Sequence, residues 1–303
     1  MFKYFNNKIN IPIFQKLLYK QNKILKKLSH KNIIKYYGLL EDQLLCNNPI
    51  GIKDYFLIYE YIPNGSLADM IEKNKNKLFP ESFVIKIFKQ ILSGLKYLHN
   101  ENIAHGNLSP NNILFDSKYN IKIAGFDYFG LYEDKHYKKA IVRDDILFIN
   151  NHYKYMGPFT SPEMIKGLDW NDKADIFSLG LIMICLLSNP SQFQKLYTVN
   201  GNLKRDIYLN NINKIYSQKL SSLVSKMVNE NPENRPSSND VYDELIKIEQ
   251  ELKKNPSYNN INIKNFIILN NNVNNNNVNI QNHFPMFNNN SLNSSIFMGN
   301  DNI

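Results

Sequence analysis

The chain has 303 residues, 43% of them apolar and 21% charged, with a formal charge of +9 at pH 7. These are ordinary values for a soluble globular protein with ample core, in one large domain or two small ones. Cys46 and Cys185 lie far apart and match no zinc or redox spacing, so reduced thiols in the cytoplasm or nucleus are expected.

The N-terminal run MFKYFNNKIN is too polar for a signal peptide. The most apolar stretch, Ile176 to Ser188, is about 13 residues, short of the roughly 20 that a membrane span needs. No membrane partner is expected. Residues 1–40 carry nine lysines and no acid. That face could meet an anionic partner, but no arginine or aromatic interleaving marks a nucleic-acid motif. A solvated helix face in a Lys/Asn-biased chain is the favoured reading, with no specific nucleic acid.

In chain order, residues 11–29 place Ile13, Leu17, Ile24, Leu25 and Leu28 at helical spacing. Ile33–Leu39 and Tyr55–Ile62 read as β-rich runs separated by a polar loop. Residues 82–99 put Phe83, Ile87, Ile91, Leu95 and Leu98 on one face of a long helix. Short strands follow at 112–115 and 121–124, turning through Ser117 to Asn120. Helical patterns resume at 174–188, 217–229 and 238–253. From Asn255 to Ile303 there are 20 Asn in 49 residues, a composition that cannot bury enough surface to offset its ordering entropy. A small β-rich front end before a larger helical region predicts an α+β, two-lobed architecture.

Six strings, in order, resemble the protein kinase superfamily. HGNLSPNNILF (105–115) is similar to the catalytic loop H-R-D-L-x-x-x-x-N, and SPE (161–163) to A-P-E. LSHKNIIKYYG (28–38), YFLIYEYIPNGSL (55–67), DKADIFSLG (172–180) and NPENRP (231–236) resemble the segment after the family's C-helix, its hinge, the start of its F-helix and its Arg-containing subdomain. The resemblance spans roughly residues 1–250. It implies a two-lobed kinase-like fold with a truncated N-lobe at 1–62, a helical C-lobe at 63–253, and an Asn-rich disordered tail at 254–303.

Phosphoryl transfer needs carboxylates for Mg²⁺, a lysine on the phosphates and an acceptor that orients the incoming hydroxyl. The resemblance puts Asn107 at the catalytic aspartate, where a neutral amide cannot take the substrate proton. General-base help is typically worth ~10²–10⁴ in rate. Gly106 replaces the preceding arginine, and Asn112 keeps the second Mg²⁺ ligand position. The family's D-F-G should start 13 residues after Asn112, at Gly125, which offers no carboxylate. A second register, DYFG (127–130), would give the metal Asp127 instead. No Gly-rich phosphate loop occurs in these 303 residues. Lys3 is either the phosphate-binding lysine or a frayed terminal one, and Gln21 occupies the C-helix glutamate position.

The resemblance further implies a hydrophobic spine of Leu25, Tyr36, His105 and Phe126, an ion pair between Glu163 and Arg235, and a backbone anchor at Asp175. Tyr59 is placed as gatekeeper, Glu60 to Ile62 as hinge, and Ile113 with Leu114 as the floor under an adenine. Tyrosines 128, 132, 137, 153 and 155 read as a surface loop or as phosphorylation sites. The expectation is a cytoplasmic or nuclear pseudokinase, not an enzyme, that binds a protein partner such as an active kinase. ATP would bind weakly or not at all, and Mg²⁺ is not expected. Two alternatives stand: a divergent, weakly active Ser/Thr or Tyr kinase, and a truncated fragment without function.

Overall fold

A computed structural model of the chain describes residues 2–5, 11–42, 54–74, 78–126, 130–131, 158–188, 205–254 and 263. The expectations placed on Asp127, Cys46, the five loop tyrosines and all of the tail but Lys254 and Ile263 lie outside the described residues.

The front end is an antiparallel sheet of β1 (Phe2–Phe5), β2 (Tyr36–Asp42) and β3 (Asp54–Tyr59) in the order β1-β3-β2. Lys3 stands opposite Leu57 and, across the other ladder, so does Leu39. Period-two alternation buries Tyr55, Leu57 and Tyr59 on one face. Helix α1 (Ile11–Leu25) crosses before β2. It ends short of the expected Ser29, because Lys27 N–H turns back to the Ile24 carbonyl at 2.9 Å and breaks the four-residue repeat. The first β run also starts later than expected. Ile33 pairs with Ile123 instead of joining the sheet, and its neighbour Ile34 donates to the same residue's carbonyl at 2.9 Å.

The larger, helical part begins with α2 (Leu67–Lys73), whose start is fixed by a reciprocal cap between Ser66 and Asp69. Helix α3 (Glu81–Asn100) buries Phe83, Ile87, Ile91, Leu95 and Leu98, the predicted stripe. β4 (Ile103–Ala104) pairs with β7 (Gly130–Leu131), and β5 (Ile113–Phe115) forms a hairpin with β6 (Ile121–Ile123). The hairpin turn is held by Asp116, whose carboxylate accepts the Lys118 and Asn120 N–H groups, both at 2.8 Å. After α4 (Pro162–Ile165) comes α5 (Asp172–Leu187), buried at every position from Ala174 to Leu187. A helix apolar all round belongs at the centre of a core. Among the described residues no helix is long and apolar enough to cross a membrane.

Helices α6 (Arg205–Ile215), α7 (Gln218–Met227) and α8 (Ser238–Leu252) complete the fold. One apolar cluster runs from Leu25 and Leu57 through α3 and α5 to Leu245 and joins sheet to helices. Ile263 lies partly buried against it. The architecture is α+β and two-lobed, with a reduced sheet at the front.

Candidate functional site

The loop between β4 and β5 is anchored from below. Asp175, in the first turn of α5, is fully buried, and its carboxylate accepts the N–H of His105 at 2.7 Å and of Gly106 at 2.8 Å. His99 Nε2 makes a third contact at 3.0 Å, while its Nδ1 reaches the Ser238 hydroxyl at 3.0 Å. Ser238, His99 and Asp175 thus form a row with the residue types of a hydrolytic triad. All three are buried, so no substrate could reach the hydroxyl, and the row is structural.

His105 carries the anchor upward. Its Nδ1 accepts the Asn107 N–H at 3.2 Å, so the ring proton sits on Nε2 and is donated to the Ala124 carbonyl at 2.9 Å. The ring leans on Phe126, centroids 4.8 Å apart. Leu25, Tyr36 and Phe126 share the core cluster, and His105 is fully buried beside Phe126. Burial pushes the Tyr36 hydroxyl pKa up to about 12, and that hydroxyl donates to Asn22 Oδ1 at 2.9 Å.

Above this base the altered positions meet. Asn107 Nδ2 donates to the Gly125 carbonyl at 3.2 Å, and Asn112 Nδ2 donates to the Asn107 carbonyl at 2.7 Å. Gly125 has φ +83°, the left-handed region, and a Cβ there would come 2.3 Å from Asn112 Cγ. The Asn112 side chain therefore occupies the volume that a side chain at 125 would need. Gln21, on α1, donates its amide N–H to the Phe126 carbonyl, linking that helix to the same segment through a neutral hydrogen bond. Lys3 stands in β1, and its side chain lies outside the described residues.

The hinge expectation maps onto the end of β3. Tyr59 is buried and packs against Tyr36, centroids 5.2 Å apart. Glu60 donates its N–H to the Lys35 carbonyl at 2.8 Å, and its carboxylate accepts the Lys35 N–H at 2.7 Å and pairs with Lys122 at 2.9 Å. Ile62 and Leu114 are partly buried against the core. Mg²⁺ is a hard cation that is bound through one or two carboxylates and phosphate oxygens. Asn107 and Asn112 supply neutral amides and Gly125 supplies no side chain, so the described residues at this position offer no carboxylate and do not fit the metal.

Further down, Glu163 and Arg235 form the expected pair. It is bidentate, at 2.6 and 2.8 Å, with Arg235 2% exposed. The remaining guanidinium donors go to the carbonyls of Asn229, Lys173 and Glu230, and Phe177 stacks on its face at 4.7 Å. Sequence reasoning did not identify His99 as Asp175's third partner. The signal was the second histidine, six residues before His105.

Comparison with known proteins adds a family. The protein kinase domain model matches residues 2–246. A Dictyostelium discoideum protein named probable serine/threonine-protein kinase nek2 is 28% identical over 235 residues, 75% of this chain and 51% of that protein. Serine/threonine-protein kinase Nek8 of Danio rerio is 31% identical over 251 residues, 80% of this chain and 32% of that protein. A probable inactive serine/threonine-protein kinase of Dictyostelium discoideum is 34% identical over 184 residues, 60% of this chain and 14% of that protein. The chain spans about half, or less, of the length of these curated relatives.

Proposed function

The chain belongs to the protein kinase domain family, and from that premise we propose that it is a catalytically inert member, a pseudokinase that works by binding another protein as scaffold or allosteric partner. One observation carries the reading. Asn107 and Gly125 stand where phosphoryl transfer needs carboxylates, and the amides of Asn107 and Asn112 close the space by bonding to the Gly125 and Asn107 carbonyls. The family's groups that hold the fold, Asp175 with the loop backbone and Glu163 with Arg235, are present and fully bonded. A relative named probable inactive supports the reading from outside the chain. The proposed partner is a protein, such as an active kinase, and the proposed setting is cytoplasmic.

A kinase domain implies nucleotide binding in general, and the hinge residues Glu60 and Ile62, with Leu114 below them, are the groups this chain would offer an adenine. The second reading, a weakly active kinase, rests on Asp127 as metal ligand and on the relatives named as serine/threonine-protein kinases. A titration of ATP with and without Mg²⁺, followed by thermal melting, separates the two. The pseudokinase reading expects little or no ATP stabilisation and none that depends on Mg²⁺. Mg²⁺-dependent stabilisation, with phosphate transfer to a generic substrate abolished by Asn112→Ala, would overturn it.

A further inference from the structure

Three consecutive backbone carbonyls follow β6, and each receives a side-chain N–H. His105 Nε2 donates to Ala124 at 2.9 Å, Asn107 Nδ2 to Gly125 at 3.2 Å, and Gln21 Nε2 to Phe126. The donors come from two places. His105 and Asn107 belong to the loop between β4 and β5, whereas Gln21 belongs to α1, 105 positions before Phe126. The third bond therefore ties a helix of the small lobe to a segment of the large one. The same segment is held from its N–H side, because Ala124 donates to the Asn112 carbonyl at 2.8 Å.

The chemistry of the donors is selective. A carbonyl offers lone pairs and no proton, so its partner must donate, and an ionised carboxylate can only accept. Where the kinase pattern has acids, at 107 and 21, this chain has the amides of matching length. An acid at either position would set negative charge against a carbonyl oxygen. Each loss of charge is thus also the gain of a donor. Two further contacts of α1, from the Tyr19 hydroxyl to Glu41 and from the Tyr36 hydroxyl to Asn22, run to β2 within the same lobe. Leu25 shares the core cluster with Phe126, but apolar burial is non-directional. The Gln21 bond supplies the direction.

We infer that His105, Asn107 and Gln21 form a donor clamp that fixes residues 124–126, and through Gln21 the position of α1, in a single arrangement. Every bond in the clamp is between groups of this chain, so it needs neither nucleotide nor metal to close. Asn107 and Gln21 are positioning residues, and their amides have a use beyond the absence of an acid. The clamp joins the two lobes into one fixed surface, the form in which a protein partner would meet the chain. It stands or falls apart from phosphate transfer, because its signature is protection of the backbone.

The test is hydrogen–deuterium exchange of the full chain without nucleotide, read on peptides covering α1 and residues 121–126. Gln21→Glu keeps the length and removes the donor, and Gln21→Met removes it without adding charge. Both are expected to speed exchange in the two peptides at least about tenfold. Asn107→Asp and Asn107→Ala should do the same in the peptide containing Ala124. Exchange in α5, buried from Ala174 to Leu187, should keep the parent's rate, which a general loss of stability would not allow. The clamp members hold one short segment, so Gln21→Met with Asn107→Ala should speed exchange by less than the product of the single effects. If the Asn107 variants fail to fold, the two Gln21 variants decide. Parent-like exchange in Gln21→Met, strictly multiplicative effects, or equal acceleration in α5 would each overturn the inference.

Discussion

The side chain of Asn112 stands where a side chain on residue 125 would have to go. A Cβ on Gly125 would lie 2.3 Å from Asn112 Cγ and 2.5 Å from both terminal amide atoms. The missing carboxylate at 125 is therefore more than a single substitution, since the neighbour has filled its place and bonded to the Asn107 carbonyl at 2.7 Å. Restoring the acid should fail as a repair. Gly125→Asp is expected to cost about 1–3 kcal/mol, from the left-handed backbone and the displaced Asn112. Gly125→Asp with Asn107→Asp is expected to give no phosphate transfer. Denaturant melts and a radiolabel transfer assay check this. In a double-mutant cycle, Asn112→Ala should relieve part of the Gly125→Ala penalty. Strict additivity would contradict the packing relationship.

The Glu163–Arg235 pair predicts a larger effect. Every guanidinium donor is used, and the group is 2% exposed. Removing one partner leaves an uncompensated buried charge. Glu163→Gln or Arg235→Leu is expected to cost about 3–5 kcal/mol. Arg235→Lys should recover little, because an ammonium cannot fork onto both carboxylate oxygens while holding three carbonyls. Chemical denaturation of the purified variants measures this, and a loss below about 1 kcal/mol would place the pair among surface-like bridges.

Long periodic elements were legible in the sequence. Helix α3 and the uniformly apolar α5 came within two residues of their bounds, because their patterns report their own environment. Helix α6 was not legible. Its 11 residues include three Asn, and its apolar positions divide between buried Tyr208 and Ile212 and exposed Ile207 and Ile215. Two-residue strands such as β4 exist only through their pairing and leave no local signal. At the site, Asp175, Glu163 and Arg235 were readable because motif order places them. The closure of Asn112 over Gly125 and the third contact of His99 depend on which side chains meet across 13 and 76 positions. No local pattern encodes that.

Ser161 supplies a prediction of opposite sign. It precedes α4, is fully buried, and its hydroxyl has no hydrogen-bond partner among the described residues. Ser161→Ala removes a desolvated polar group and little volume. It is expected to leave stability unchanged or raise it by up to about 1 kcal/mol. A drop in melting temperature would mean that the hydroxyl has a partner after all.

Acid sensitivity near neutrality should trace to His30. Its ring stacks on Tyr97 at 5.2 Å, and Nδ1 accepts the Asn32 N–H at 3.1 Å, a bond only the unprotonated nitrogen can make. Burial first, then Lys31 and Lys122, hold its pKa below the ordinary value. In the unfolded chain the group would titrate near 6.5, so between that value and the lower folded one the unfolded state binds more protons. Stability therefore rises with pH through this window and falls on acidification below about 6.5. Asp240 does not confuse the test, because the hydroxyl and N–H of Ser237 hold its carboxyl below the usual carboxylate range. Melting temperatures taken from about pH 7.5 to about pH 5.5 should decline in the parent and decline less in His30→Gln. Equal slopes would assign the acid response to another group.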